Sequence, residues 1–545
     1  MTTDTNTDTD TVESVDPGLG RVSRLRGAVF RYVTFVASLV GVASLGVLLA
    51  YVFWDALGMD SAQPGWYAGF FLLVVAPFVG FVLRARTDAV AGEVALELFA
   101  TVAGGIQGGF ALVVVLDVIA GVDVWLSYFL TTIGPAVAVY LYGRLNRAAS
   151  WTGLGILATG LLGPVAGTLL IGRIDVVVSG VGAPGIYLLT VTLPAALGVG
   201  LLVDRNEDLG DGRWATLALF ALGVAGVLAA DAVPGVSRSV WQLFVASFAA
   251  PTGYVVARNL ADQERWSGLA GPGALVVGAG VLLLVDGPLG LVGPSPWFDW
   301  QFLTSPPSLT DPSTAGVYAP IVGSVFVIVL VAVFTLFLGV GAALYLEEYA
   351  GSSGLRGAVA RLVRINISNL AGVPSVVYGL LGLAVFARLI GTGIGTVLTA
   401  ALTLSLLILP IVIISAREAI AAVPDSQRRA SYGMGATRWQ TVRNVVLPRS
   451  LPGIMTGTIL ALGRAIGETA PLLMIGVPAF RRDEPTGLFT RTGALPRQVF
   501  TWADNPNPEF QYGVLAAGVV TLLVVLLTMN SIAILIRNKY ERGDV

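Results

Sequence analysis

Residues 425–478 read DSQRRASYGMGATRWQTVRNVVLPRSLPGIMTGTILALGRAIGETAPLLMIGVP, a charged loop that runs straight into a hydrophobic span. In so apolar a chain the loop stands out. Its small residues Ala430, Ser431, Gly433, Gly435 and Ala436 allow another backbone to approach closely, while Arg428, Arg429, Arg438 and Arg443 keep the surrounding surface in water. That combination suits a loop gripped by a partner. The span beyond it carries Arg464 and Glu468 in an otherwise apolar segment, and ionisable residues inside a membrane are costly enough to mark function by default. Spaced four apart, the two fall on one helix face and are able to pair, which lowers the cost of both charges. Pro471, just beyond, frees a backbone carbonyl and permits a kink.

The rest of the chain supports a membrane reading. Of 545 residues, 55% are hydrophobic and 12% charged, with a mean hydropathy of +0.80, whereas a soluble globular chain carries about 25% charge. Apolar runs recur between short polar loops at the length of roughly 20 residues that a helix needs to cross about 30 Å of hydrocarbon. A membrane β-barrel would alternate instead. The fold class is therefore an all-α polytopic membrane protein. Cys and His are both absent, which excludes thiol chemistry, disulfides, histidine bases and the usual transition-metal sites. Lys539 is the only lysine, and a Walker A loop needs a Gly-rich turn followed by Lys and Ser or Thr, so the chain is not itself a P-loop ATPase. No catalytic residue, metal, cofactor or nucleic-acid partner is expected, and any ATP is handled by another subunit. A formal charge of -2, a pI near 5.4, arginine in place of lysine and an acidic, Asp/Thr-rich leader form the composition expected of an archaeal halophile.

Residues 1–27 begin as an acidic, polar stretch that cannot support a core and are predicted to be a disordered cytoplasmic tail. They do not read as a signal peptide, because the basic residues Arg21, Arg24, Arg26 and Arg31 come late, beside the first span. Spans are predicted at about 30–54, 66–83, 96–120, 124–143, 151–172, 183–203, 214–230, 240–257, 269–291, 317–344, 366–388, 394–415, 453–477 and 511–537, about fourteen in all. Arginines follow the even-numbered spans (Arg84, Arg144, Arg205, Arg258, Arg356), which puts both termini and the 416–451 loop in the cytoplasm. The third span is crowded with Gly104, Gly105, Gly108 and Gly109 and is the least regular. The polar break RNLADQERWSG at 258–268 divides the chain into an N-terminal membrane domain of about eight helices, 28–264, and a second domain, 265–545. Between spans nine and ten, the Pro- and aromatic-rich segment 292–316 is long enough to fold over a pore mouth. Glu347 and Glu348 close span ten and read as a solvated helix end.

Within the opening stretch, Ala430 and Ser431 are followed by Gly435 and, after nine intervening residues, by Val445, Val446, Leu447 and Pro448. This resembles the EAA loop of ABC importer permeases, with Arg429 where that family prefers glutamate. Three further stretches, AALYLEEYAG at 342–351, LAGVPSVVYGLLGL at 370–383 and ALGRAIGETAPLL at 461–473, make the second domain similar to the PstA-type permease subunits of ABC phosphate importers. The sister PstC-type subunits share the GVPS-type segment, whereas the run Gly467–Leu472 favours the PstA type. The resemblance implies a coupling loop at 416–451 in which Arg429, Ala430, Ser431, Gly435, Ala436, Leu447 and Pro448 meet the ATPase. It implies a translocation path that includes Arg464, Glu468, Thr469, Pro374 and Ser375. Its implied partners are a PstC-like permease subunit, an ABC ATPase dimer and an extracellular phosphate-binding protein, around a chain embedded in membrane lipid. No second EAA pattern occurs in the first eight spans, whose role the residues leave open. Import of another oxyanion such as molybdate or phosphonate, and an ATP-independent channel or secondary transporter, stay as alternatives.

Overall fold

The computed structural model describes residues 24–145, 151–229, 237–351 and 354–541. The first 23 residues of the expected tail, together with Arg147 and Asp231, lie outside the described residues. The described residues are predominantly helical, and among them the sole β feature is an isolated antiparallel bridge between Thr396 and Arg491. The membrane-length helices are α1 (Gly27–Ala56), α2 (Pro64–Ala85), α3 (Ala89–Asp117), α4 (Gly121–Gly143), α5 (Thr152–Arg173), α6 (Asp175–Asp204), α7 (Gly212–Ala229), α8 (Arg238–Ala261), α9 (Gln263–Val285) and α10 (Tyr318–Tyr349). There follow α11 (Gly354–Ala371) and α12 (Ser375–Ile390), then α13 (Val397–Ala421), the short α14 (Asp425–Gly433), α15 (Arg438–Ile466), the short α16 (Ala470–Met474), α17 (Leu495–Ala503) and α18 (Phe510–Leu535). Contacts divide the chain into residues 1–53, whose described part is most of α1, and residues 54–545.

In the second unit, α3 is the helix around which α2, α8 and α9 gather. Its glycines explain why the sequence there looks irregular. A Cβ on Gly105 would stand 2.9 Å from Phe248 Cα, and one on Gly109 would stand 2.8 Å from Ser247 Oγ, so α8 lies almost on the α3 backbone. Small residues spaced four apart are how membrane helices come this close, since no hydrophobic force drives them together in lipid. The glycines of α9 do the same work, Gly268 against Val94, Gly271 against Phe81 and Gly278 against Leu73. Gly104 meets nothing within 4 Å. Gly105→Ala is thus expected to destabilise the protein by about 1–3 kcal/mol through overpacking, seen as a lower thermal unfolding midpoint in detergent, while Gly104→Ala stays near wild type.

The C-terminal bundle is built around α13, whose Ala400, Ala401, Leu404, Leu407, Ile408 and Val412 are buried against Val327, Ile328 and Val331 of α10 and Ala461 and Ala465 of α15. The starts of α10 and α13 share one neighbour. Ser324 Oγ accepts from the Leu495 N–H at 2.8 Å, and Val397 N–H donates to Thr490 O at 3.1 Å. Their far ends meet through Arg417 and Glu347, 2.7 Å apart. The two helices therefore run parallel, and the chain between them must return across the bundle once.

That return is where the structure departs from the predicted span at 366–388. Two helices occupy the region, α11 and α12, bent by 107° at Gly372–Pro374. Pro374 has no N–H to continue the ladder and serves instead as the N-cap of α12. The Tyr378 hydroxyl donates to Leu370 O at 2.7 Å, satisfying one carbonyl left open at the end of α11. Only α12 makes the return, and α11 stays at the end where α10 and α13 finish, with Arg364 Nη2 donating to Leu346 O at 2.5 Å. Taken as one bent span, the pair completes fourteen. The span predicted at 453–477 is also displaced: α15 begins earlier, at Arg438, and stops at Ile466.

Segment 292–316 packs against α17 and the start of α18. Asp299 caps a short helix by accepting from Phe302 N–H at 2.7 Å, Trp502 Nε1 donates to Ser308 O at 3.0 Å, and Trp297 lies on Gly513.

Candidate functional site

The charged loop folds into a compact helical hairpin at the end of the bundle where α10 and α13 finish. Pro424 starts α14, Asp425 occupies its first turn where a negative charge suits the helix dipole, and Gly435 ends it. Gly435 sits at φ +83°, a conformation that a side chain disfavours, with open space above it. Thr437 and Gln440 then form a capping box that launches α15. The hydroxyls of Ser431 and Thr441, both buried and 2.8 Å apart, lock the two arms together. Leu447 and Pro448 lie inside α15, not at a loop end. Because Pro448 cannot donate, the helix widens there into a π turn over Val442–Val446, with Leu447 N–H reaching Val442 O.

The outer surface of this hairpin is unexpectedly apolar for a charged loop. Met434 is 87% exposed, Trp439 60% and Tyr432 40%, beside the exposed Arg429 and Ala430 and the half-buried Ala436. Large apolar side chains held out on a water-facing loop mark an interaction surface.

Beneath the hairpin, one turn of α10 holds it in place. Glu348 Oε1 accepts from Arg428 Nε at 3.1 Å, and the same guanidinium donates to Ile420 O at 2.8 Å and to Val423 O. Glu347 pairs with Arg417 of α13 at 2.7 Å and lies 4.0 Å from Arg364 of α11. Tyr349 carries the Arg438 guanidinium over its ring at 5.7 Å. Reading Glu347 and Glu348 as a solvated helix end is therefore wrong: the Glu348 side chain is 7% exposed and ion-paired. The signal was present in the sequence as two adjacent acids facing an arginine-rich loop, but nothing there showed that the two meet.

Arg464 and Glu468 do pair, with Nε to Oε1 at 3.2 Å. The helix ends between them, at Ile466, and Glu468 lies in the break that precedes α16. Arg464 is 54% exposed on the flank of the bundle, next to exposed Leu460, while Ala465 and Ile466 beside it are buried. Thr469 starts α16, which packs on α12: a Cβ on Gly379 would stand 2.8 Å from Pro471 Cα. Pro374 and Ser375 begin that same α12, so the two stretches expected along the path share one packed unit. Among the described residues no group of three or more His, Cys, Asp or Glu is placed to hold a metal.

Comparison with known proteins bears on the same region. Residues 335–539 match the family described as the binding-protein-dependent transport system inner membrane component. Over 230 residues the chain is 32% identical to the phosphate transport system permease protein PstA 1 of Mycobacterium tuberculosis (strain CDC 1551 / Oshkosh), spanning 42% of this chain and 73% of that protein. Over 203 residues it is 32% identical to the phosphate transport system permease protein PstC of Mesorhizobium japonicum, spanning 33% of this chain and 60% of that one. A solved inward-facing structure of the MetNI methionine ABC transporter aligns with a TM-score of 0.34 at 19% identity, covering 41% of this chain and 97% of the other.

Proposed function

Because this chain belongs to the binding-protein-dependent transport system inner membrane components, as a multi-pass ABC permease of the PstA type, we propose that it forms one wall of an ATP-driven phosphate importer. The observation that carries this reading is Arg464. Arg464 lies in the last turn of α15 with its side chain 54% exposed on an otherwise apolar flank, a charge that is costly to leave against lipid, and Glu468 covers only one side of the guanidinium. The exposed side needs protein or a polar path, which a second, PstC-like permease subunit supplies. Arginine suits a phosphate path because its planar fork binds oxyanions through two parallel hydrogen bonds. Thr469, Pro374 and Ser375 line the path beside it.

The hairpin at 416–451 is the ATPase-coupling element. Arg429, Ala430, Ser431, Gly435 and Ala436 give it shape, Leu447 and Pro448 join it to α15, and Met434, Tyr432 and Trp439 are the apolar anchors that an ABC ATPase dimer covers. An extracellular binding protein delivers phosphate at the opposite end, and both termini lie in the cytoplasm. ATP-driven closure draws the hairpins of the two permease subunits together and tilts α13 and α15, which opens the path outward. The domain 265–545 carries transport, and 28–264 is an accessory membrane module.

Uptake of labelled orthophosphate by cells expressing the intact system tests the assignment. Unlabelled phosphate is expected to abolish the signal, while molybdate or phosphonate at the same excess leaves it. Uptake indifferent to excess phosphate, or to depletion of ATP, would overturn it.

A further inference from the structure

The turn Tyr345–Tyr349 at the end of α10 has no place in the path or in the ATPase-facing surface, yet three consecutive side chains on it reach four different helices. Glu347 holds α13 through Arg417 and approaches α11 through Arg364. Glu348 holds α14 through Arg428. Tyr349 holds the first turn of α15 through Arg438. The turn is wound as a π-helix. Successive side chains point in widely different directions around a helix, so one short turn reaches all four neighbours.

We infer that this turn is a transmission clasp: it ties the coupling hairpin to α10, so that displacement of the hairpin moves α10 together with α13. This rests on the transporter reading proposed above. Without the clasp, force from the hairpin enters the bundle through α13 before α14, through α15, and through the apolar cluster that Ala343 and Leu346 of α10 share with Ile420, Val446 and Ile454. α10 is not continuous with the hairpin. Its packing on α13, with Val412 seated against Gly339, is apolar and carries no directional bond, whereas the clasp fixes α10 to α14 and to the first turn of α15 by oriented polar contacts. Two features suit Glu348 and Arg428 to such a link. Their side chains are 7% and 15% exposed, so salt screens the pair little. Arg428 also donates to the carbonyls of Ile420 and Val423 and to Asp425 Oδ1 at 3.2 Å, which fixes its direction toward Glu348. Glu348, Glu347 and Tyr349 are positioning residues and touch neither phosphate nor nucleotide.

The readout that separates transmission from simple stability is the ratio of phosphate taken up to ATP hydrolysed. The full chain, copurified with the ATPase and sister permease that its tagged wild-type form retains, is reconstituted into vesicles and supplied with labelled orthophosphate. Glu348→Gln is expected to lower uptake about tenfold, the change that loss of one charge-assisted hydrogen bond brings, with the ATPase still bound and its hydrolysis rate within about twofold of wild type. The chain has no cysteine, so Glu348→Cys with Arg428→Cys makes a clean pair for a short bifunctional thiosulfonate. Cross-linking is expected to restore uptake, and reduction to remove it again. Unchanged uptake in Glu348→Gln, release of the ATPase from that variant, or failure of the cross-link to restore transport would each overturn the clasp. A wild-type chain that retains no ATPase would instead remove the transporter reading, and this control is scored before any variant.

Discussion

Replacing Arg464 with glutamine is expected to lower phosphate uptake by about 10- to 100-fold, the range for losing a charged hydrogen-bonding partner, in protein that inserts and retains its ATPase. Arg464→Lys should recover only part of the loss, because lysine keeps the charge but presents a single point donor where arginine offers a fork. Two readings of Arg464 make opposite forecasts for a double substitution. If the arginine exists only to neutralise Glu468, whose Oε1 it meets at 3.2 Å, then Arg464→Gln with Glu468→Gln removes both charges and restores transport. If the arginine meets phosphate, the double variant stays as impaired as the single one. Uptake kinetics of the four proteins decide between them, and recovery in the double variant would leave Arg464 a structural residue.

The second large effect is expected at Gly435. Its φ of +83° costs an ordinary L residue about 1–2 kcal/mol, and a β-branched side chain suffers most. Gly435→Val should therefore open the hairpin between α14 and α15, with loss of ATPase copurification and of ATP-dependent uptake. Gly435→Asn is the control, since asparagine tolerates the left-handed region and the space above the residue is open. A valine variant that still retains the ATPase and transports normally would show that hairpin shape does not govern coupling.

Much of this protein is legible in its sequence. Hydropathy yields the number of crossings, because a helix that must hide its own backbone polar groups in hydrocarbon needs a long apolar run whatever surrounds it. Spacing points to the pairing of Arg464 and Glu468, although the helix ends at Ile466 and the break after it, not a shared helix face, brings Glu468 to the guanidinium. Boundaries are less secure wherever helix and membrane part company. α15 begins in the charged hairpin, where hydropathy is low, and the expected span at 366–388 is broken at Pro374 with α11 turned across the end of the bundle.

Composition and local pattern by themselves determined the class, the approximate number of crossings and the position of the charged hairpin, because each depends on residues close together in the chain. Tertiary structure alone decided that Glu348 is buried rather than solvated, that the glycines of α3 bring α8 onto its backbone, and that Pro471 meets Gly379. These contacts join residues far apart in the chain. No local signal encodes such meetings: burial and charge pairing are properties of the space between helices, and that space exists only once the bundle has packed.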